Sequence, residues 1–166
     1  MYLLPMAVAT WAPVGQTPIL EETVSRDHLS MMAAITPSGK LYSLTLDHAF
    51  NGASVVGFLR QLLRQIPGKL TLLWDGATIH RSKEVHAFLS DPSEGAAQRL
   101  QLVSLPAYAP ELNPTESVWS HLKRAELANI TSHDLAELRP TVEKARERIR
   151  RQPKLLHSFF HPLDFY

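Results

Sequence analysis

The sequence contains no cysteine, which excludes a disulfide framework, a thiolate metal site and a cysteine nucleophile. It also has no run that approaches the roughly 20 apolar residues needed by a membrane-spanning helix. Neither sign of charge dominates, because 17 basic residues stand against 16 acidic ones and leave a net charge of +1. The overall charge therefore does not by itself indicate a nucleic-acid partner. What is present is an apolar fraction of 45% over 166 residues, which predicts one folded domain.

Two classes of catalytic motif are missing as well. The sequence has neither a glycine-rich phosphate-binding loop nor a serine in a nucleophile-elbow pattern.

Residues 1–20 are uncharged, but they lack a basic n-region and are interrupted by Pro5 and Pro13, so they do not predict a signal peptide. We therefore expect a soluble, cytoplasmic protein with no membrane partner.

Runs rich in apolar and β-branched residues predict strands in the first third of the chain, and the spacing of apolar residues predicts helices that alternate with strands after it. The order β-β-β-α-β-α-β-α-α is typical of an α/β fold in which helices flank a mixed sheet, with a right-handed crossover between the last two strands. A final helix capped by Thr131 or Ser132 contains Pro140, which predicts a kink or two shorter helices. The predicted strands cover residues 19–24, 29–35, 41–46, 70–74 and 100–105, and the earlier predicted helices cover 55–66, 82–89 and 113–129.

Asp75 follows the predicted strand 70–74 directly, at the edge where open α/β sheets place their ligand sites. A carboxylate there projects from a rigid element, as a ligand for a hard metal ion must. The structural alternative is an Asx-type turn, because Asp-Gly is common after a strand. His80, five residues further on, either hydrogen-bonds a metal-bound water or a phosphate, or only holds the loop in place.

Glu116 lies in the first turn of a predicted helix, with Asn113 as the N-cap and Pro114 at the first helical position. The structural alternative is a capping box, in which the Glu116 side chain reaches back to the Asn113 amide. Because this helix follows a strand and an exposed loop, its first turn can instead aim a carboxylate at the carboxyl edge of the sheet. One helix and one strand separate Asp75 from Glu116, which is enough chain for a crossover that returns to the same edge.

Basic residues concentrate near the end of the chain. Between Arg139 and Lys154, seven basic residues and two acidic ones give a local net charge of +5. Such a segment either contacts phosphate groups or forms an ordinary solvated helix face.

Two stretches carry a more specific pattern. Residues 72–80 read LLWDGATIH, and residues 105–123 read LPAYAPELNPTESVWSHLK. Together they resemble the catalytic core of mariner-type transposases and their bacterial insertion-sequence relatives, which are DDE superfamily endonucleases with a ribonuclease-H-like fold. Residues 10–18 are similar to the segment that follows the first catalytic strand in that family. The resemblance runs from about residue 2 to about residue 130, and its second stretch is the most specific.

The resemblance implies that Asp75 and Glu116 are the second and third acidic residues of a triad that holds Mg²⁺ or Mn²⁺, with His80 and Asn113 in support. The family's first Asp, the strand that carries it and the upstream helix-turn-helix region have no match in this sequence. We therefore expect a fold that is incomplete at its N-terminus and a catalytic activity that is impaired. Asp47 is only a weak substitute for the missing ligand.

The implied function is DNA transposition by metal-dependent phosphodiester cleavage and strand transfer. The alternatives are a non-catalytic DNA-binding or regulatory transposase fragment and, more weakly, a hydrolase of small phosphoesters. We expect a truncated catalytic domain over residues 1–130 and a helical extension of the same domain over 131–166. Expected partners are transposon ends, target DNA, and either a second copy of the chain or a separately encoded N-terminal part. The residues expected to contact DNA are Lys123, Arg124, Lys144, Arg148 and Arg151.

Overall fold

A computed structural model describes residues 9, 11–16, 19, 28–130, 132 and 134–160 of the chain. The predicted strand at 19–24 lies outside the described residues except for Ile19, which is exposed and not in a strand. Thr131, one of the two predicted caps of the last helix, also lies outside them. Within the described ranges, no helix is both long enough and apolar enough to cross a membrane.

A β-hairpin opens the continuous part of the structure. Strand β1 (Ser30–Ile35) pairs antiparallel with β2 (Leu41–Leu46), and the register places Ile35 opposite Leu41. Gly39 in the turn has a φ of +76°, and a Cβ atom there would collide with the backbone of Pro153. The turn therefore requires glycine for its left-handed backbone and for its close approach to a distant segment.

A parallel strand pair follows the hairpin. Helix α1 (Gly52–Gln65) begins with a capping box between Asn51 and Ser54 and leads into β3 (Leu70–Trp74). Helices α2 (Lys83–Ser90) and α3 (Ala96–Arg99) then carry the chain to β4 (Leu100–Ser104), which pairs with β3. Ser82 caps α2 as predicted, whereas the four-residue α3 has no counterpart among the predicted elements.

The remaining helices are shorter at their ends than their patterns predict. Helix α4 (Pro114–His121) changes into a π-helical turn at Leu122–Glu126, so the helix predicted for 113–129 is regular only in its first half. Helix α5 (Leu135–Arg150) is capped by Asp134 and not by Ser132, because the Asp134 carboxylate accepts a hydrogen bond from the Glu137 amide at 2.8 Å. The chain ends its described part in α6 (Pro153–Ser158).

Helix α5 passes through Pro140 without dividing into two helices. The proline has no N–H group, so one hydrogen bond of the helix interior is lost and the helix is destabilised. The helix persists because it buries a continuous apolar face, and burial of a side chain contributes about 1.5–3 kcal/mol each. The buried residues of this face are Leu138, Val142, Ala145 and Ile149.

Two apolar clusters form the core. The first joins the hairpin to α4, α5 and α6, and its members include Leu29, Met31, Val118, Val142 and Leu156. The second packs α1 and α2 against the parallel pair, and its members include Val55, Leu59, Val85, Phe88 and Leu100.

The expected single mixed sheet is divided into two sheets in the described part of the chain. One is the antiparallel pair β1–β2 and the other is the parallel pair β3–β4, with no strand of one paired to the other. Residues of β1 and residues of β3 line one cavity, and the two strands are not paired with each other.

Candidate functional site

The carboxyl ends of β3 and β4 meet at one edge of their sheet. The strands are parallel, with Leu70 opposite Leu100 and Trp74 opposite Ser104. The Leu105 amide donates to the Trp74 carbonyl oxygen at 2.8 Å, which extends the pairing to the last residue of β3. Ligand sites in α/β sheets form outside these strand ends, and Asp75 is the first residue beyond β3.

Asp75 is held by two contacts to a single carboxylate oxygen. Its Oδ1 accepts a hydrogen bond from the Ala77 amide at 3.0 Å and lies 3.1 Å from His80 Nε2. The first contact is the Asx-type turn that the sequence offered as an alternative to a ligand role. The side chain of Asp75 is nevertheless 57% exposed, and its Oδ2 makes no hydrogen bond or ion pair with the described residues. The turn therefore orients the carboxylate without consuming it.

His80 contacts Asp75 and packs against Trp74. Its ring stacks on Trp74, with the centroids 4.5 Å apart and the planes inclined by 14°, in the 3₁₀ turn Thr78–Arg81. Burial lowers the pKa of His80, and this effect exceeds the opposing effect of the Asp75 carboxylate. His80 Nε2 is within hydrogen-bonding distance of Asp75, whereas the buried Nδ1 has no hydrogen-bond partner among the described residues.

Glu116 lies at the start of α4 and is free of the capping box that the sequence allowed. The Asn113 side chain caps the helix by accepting from the Thr115 amide at 3.1 Å. The Asn113 amide itself donates to the Pro110 carbonyl oxygen at 3.0 Å, so it is already satisfied without Glu116. The exposed Glu116 carboxylate therefore stands in the first turn of the helix, where the helix dipole favours a negative charge.

Asp75 and Glu116 line the same cavity, which we call the central cavity. It has a volume of about 790 Å³ and is bordered by β1, α1, β3 and the start of α4. His80 and Asn113 line it too, so the four residues predicted for the catalytic and supporting roles face one space. Among the described residues, no group of three or more His, Cys, Asp or Glu side chains is arranged to hold a metal ion.

Asp47 does not join this arrangement. Its Oδ1 lies 2.8 Å from His48 Nδ1, and its Oδ2 lies 3.7 Å from Arg139. The hydrogen bond from His48 lowers the pKa of Asp47, and Arg139 adds to the effect. Because Asp47 is not among the residues that line the central cavity, it is not a substitute for a third ligand there.

The five residues expected to contact DNA lie elsewhere on the surface and not in the central cavity. Lys123 and Arg124 belong to the π-helical turn. On α5 and beyond it, Lys144, Arg148 and Arg151 line one shallow concavity together with Glu147. Acidic partners offset part of this positive charge, because Arg148 donates to Glu126 at 2.6 Å and Arg151 donates to Glu147 at 3.0 Å.

Trp74 is the site residue that the sequence analysis did not identify. Its signal was its position immediately before Asp75, but a tryptophan at the end of an apolar strand is more simply explained as core. Its role depends on the 3₁₀ turn that folds His80 back over it, and the spacing of residues does not reveal this turn.

Comparisons with known proteins identify the family and the fold of the chain. The family model described as DDE superfamily endonuclease matches residues 6–139. The Mos1 strand transfer complex has a TM-score of 0.67 at 18% identity, and the Mos1 mariner paired end complex with Mn has a TM-score of 0.68 at 18% identity. In both cases the match covers 98% of this chain and 49% of the other. The catalytic domain of Mos1 mariner transposase has a TM-score of 0.55 at 14% identity, with 86% of this chain and 78% of that one covered.

The chain thus spans about half the length of the two Mos1 chains in those complexes. None of the curated proteins matches it. The structural likeness confirms the ribonuclease-H-like α/β fold that the sequence predicted. Because the family model covers well over half of the chain, the chain belongs to the DDE superfamily endonucleases.

Proposed function

We propose that this chain serves DNA transposition, as the metal-dependent phosphodiester cleavage and strand transfer domain of a DDE transposase, with impaired catalysis. The observation that carries the proposal is the placement of Asp75 and Glu116 on one cavity at the carboxyl edge of the parallel strands. Ligands of α/β sheets bind outside the carboxyl ends of the strands, so two carboxylates that line a cavity there are candidate ligands of one bound group.

The residues present fit one hard divalent cation, Mg²⁺ or Mn²⁺, better than a pair of ions. Asp75 and Glu116 supply carboxylate oxygens, the donor type that these ions prefer, with water completing the coordination. The described residues contain no third acidic or histidine ligand in a metal-binding arrangement. A two-ion site needs more carboxylates than these two, which supports the expectation of impaired catalysis.

The chain's own residues would act by holding ligands in place. Ala77 and His80 fix one oxygen of Asp75, so the carboxylate does not have to be ordered when a ligand arrives. The Asn113 cap holds the backbone at the start of α4, from which the Glu116 side chain projects. When bound, the cation would activate the attacking oxygen and stabilise the leaving oxygen at phosphorus.

DNA is the proposed substrate, at transposon ends and at a target. Lys144, Arg148 and Arg151 line one concavity, and Lys123 and Arg124 lie on the turn after α4. Basic side chains that contact phosphates set the affinity for DNA and not the preference for a sequence. DNA binding should therefore weaken steeply as the salt concentration rises. A cytoplasmic location is part of this proposal.

A supercoiled-plasmid nicking assay with Mn²⁺ tests the catalytic proposal. The wild-type chain is compared with its Asp75→Ala, Glu116→Ala and Glu111→Gln variants. Glu111 is the matched control. It is an exposed carboxylate just before α4, and it does not line the central cavity. The proposal predicts weak nicking that both alanine variants abolish and the Glu111 variant retains. Nicking that survives in either alanine variant would contradict it.

A non-catalytic DNA-binding or regulatory fragment is the second candidate function. It is favoured by the lack of a three-residue metal-binding group among the described residues. If the wild-type chain does not nick DNA but retains it on a gel in a salt-sensitive manner, this second function replaces the first. A Lys144→Ala, Arg148→Ala double variant should then reduce the retention.

Domain organisation follows the same proposal. We assign residues 1–130 to the catalytic domain and residues 131–166 to a helical extension of the same domain. In support, α5 and α6 share one apolar cluster with β1 and α4, in which Val142 and Leu156 are completely buried. A homodimer and a separately encoded N-terminal part stay predictions of the sequence.

A further inference from the structure

Tyr108 presents its whole side chain to solvent. Its relative exposure is 102%, so the residue buries nothing against the rest of the fold. Aromatic side chains usually bury a large apolar area, and a buried or half-buried tyrosine is the ordinary case. Tyr42, which is half-buried in β2, is an example in this chain. Packing within the described part of the chain therefore gives no reason for the ring of Tyr108.

The backbone of Tyr108 is unusual as well. Its φ of +59° lies in the left-handed region, which is unfavourable for a bulky side chain and open to glycine. Asn129 is the other non-glycine residue with a positive φ in the described ranges, and asparagine tolerates this conformation. The turn therefore does not require a tyrosine and is destabilised by one. Strained residues of this kind concentrate at ligand sites.

The loop that carries Tyr108 is stiff. Pro106 and Pro110 lie on either side of it, and each fixes its own backbone φ. The Leu112 amide donates to the Ala109 carbonyl oxygen at 3.1 Å and closes a 3₁₀ turn directly after the tyrosine. The ring is thus attached to a backbone that needs little further ordering, so a ligand that contacts it loses less affinity to conformational entropy.

Both ends of this loop belong to the candidate site. Leu105 and Leu112 line the central cavity, and the Leu105 amide donates to Trp74, the residue before Asp75. Tyr108 follows Leu105 by three positions, so their Cα atoms are at most about 11 Å apart. Tyr108 itself does not line the cavity. It is therefore a surface residue of the loop that borders the acidic site.

The chemistry of this surface favours a nucleobase as the ligand. A bare aromatic ring offers a flat π face, on which any base can stack. Bases inside a duplex are already stacked on both sides, so only an unpaired base is free to use the ring. A DNA strand whose phosphate lies at Asp75 and Glu116 has its adjoining bases within reach of such a loop.

We infer that Tyr108 is a stacking subsite for one unpaired nucleobase of the DNA strand that the acidic site binds. The inference rests on the proposed function, because it takes DNA as the ligand. The ring adds affinity for unpaired nucleotides without reading their sequence, because every base has a π face. Its role is to position the strand and not to take part in the chemistry at phosphorus.

Fluorescence anisotropy of the full chain with labelled DNA tests the inference. The buffer contains Ca²⁺, which accepts oxygen ligands in a less strict geometry than Mg²⁺. One probe is a single strand of twelve thymidines, and the second is an abasic strand of the same length and charge. A duplex of twelve base pairs is the third probe. The wild-type chain should bind the thymidine strand at least about fivefold more tightly than the abasic strand.

Variants of Tyr108 separate stacking from other effects of the side chain. Tyr108→Phe should keep the preference for the thymidine strand, because phenylalanine retains the π face. Tyr108→Ala and Tyr108→Leu should lose it, although leucine is also apolar. None of the three should change binding to the duplex. Val103→Ala is the matched control, because it removes another exposed apolar side chain and should leave the preference unchanged.

The outcomes distinguish this subsite from the proposed function. Equal wild-type affinity for the two single strands would overturn the subsite and leave DNA binding in place. A preference that persists in Tyr108→Ala, or that is lost in Tyr108→Phe or Val103→Ala, would also overturn it. Absence of binding to all three probes would overturn the proposed DNA substrate together with the subsite. Because the side chain of Tyr108 is fully exposed, its variants should keep the circular dichroism spectrum of the wild type.

Discussion

At the scale of residues, the Asp75 side chain can stabilise a turn with one carboxylate oxygen and still offer the other to a ligand. The Asx turn uses Oδ1 of Asp75, and His80 Nε2 contacts that same oxygen. Two contacts on one oxygen fix the plane of the carboxylate and restrict its rotamers. The structural and the functional interpretation of Asp75 are therefore compatible.

We propose that His80 positions Asp75, so its removal should weaken metal binding. We expect His80→Ala to raise the Kd for Mn²⁺ by about tenfold, as loss of a hydrogen-bonded partner of a ligand commonly does. His80→Gln, which keeps a donor, should restore part of the affinity. The control is His86→Ala, an exposed histidine on α2 that does not line the central cavity. Unchanged Mn²⁺ affinity in His80→Ala would show that Asp75 needs no such support.

Glu94 and Arg60 join α1 to the turn before α3, and their contact should make stability depend on pH. Arg60 Nε donates to both carboxylate oxygens of Glu94 at 3.1 Å, and this contact lowers the pKa of Glu94 below its usual 4.5. A carboxyl group with a lowered pKa in the folded state stabilises the fold above its unfolded pKa, and the contribution disappears as pH falls through the folded value. In urea unfolding at neutral pH, wild type should therefore have a higher free energy of unfolding than Glu94→Gln. In acid the two values should become equal. A difference that is the same at both pH values would contradict this assignment.

At the scale of elements, the periodic patterns predicted most of the regular structure. The apolar and β-branched residues of 41–46 predicted β2 (Leu41–Leu46), and the helical spacing of apolar residues predicted α1, because its buried face imposes a period on the sequence. The four-residue α3 and the π-helical turn at Leu122–Glu126 are too short to show a period. The division into two sheets was not predictable either, because periodicity reveals that a strand exists and not which edges meet.

Pro140 gives a prediction for α5 that is opposite to the usual effect of substitution. The residue is exposed in the interior of the helix, where its ring leaves the Ala136 carbonyl without an intrahelical donor. We expect Pro140→Ala to stabilise the chain by roughly 1–3 kcal/mol in urea unfolding, since alanine restores the hydrogen bond and favours the helix. The control, Lys144→Ala, lies on the exposed side of α5 and should change stability by less than about 0.5 kcal/mol. A loss of stability in Pro140→Ala would contradict the expected gain.

At the scale of the whole molecule, two apolar clusters meet around the central cavity. One cluster contains the hairpin and the last helices, and the other contains α1, α2 and the parallel strands. Both acidic residues line this cavity: Asp75 follows β3, which packs in the second cluster, and Glu116 belongs to α4, which packs in the first. The geometry of the candidate site therefore depends on how the two clusters are held together.

The position of the two carboxylates could be predicted from the sequence, but their surroundings could not. Asp75 and Glu116 follow from motif and strand order, because parallel strands bring their carboxyl ends together. The stacking of His80 on Trp74 and the pairing of Arg148 with Glu126 depend on contacts between distant segments. Such contacts arise from packing and leave no periodic signal in the chain.

The most direct test of the shared cation is a Mn²⁺ titration followed by electron paramagnetic resonance. It compares wild type with Asp75→Asn, Glu116→Gln and the double variant, with Glu111→Gln as the control. We predict one ion per chain, a Kd raised at least about tenfold by each single change, and a double variant little weaker than the worse single one, because both side chains hold the same ion. Single variants that bind Mn²⁺ as tightly as wild type, or losses that add independently, would contradict a cation shared by Asp75 and Glu116.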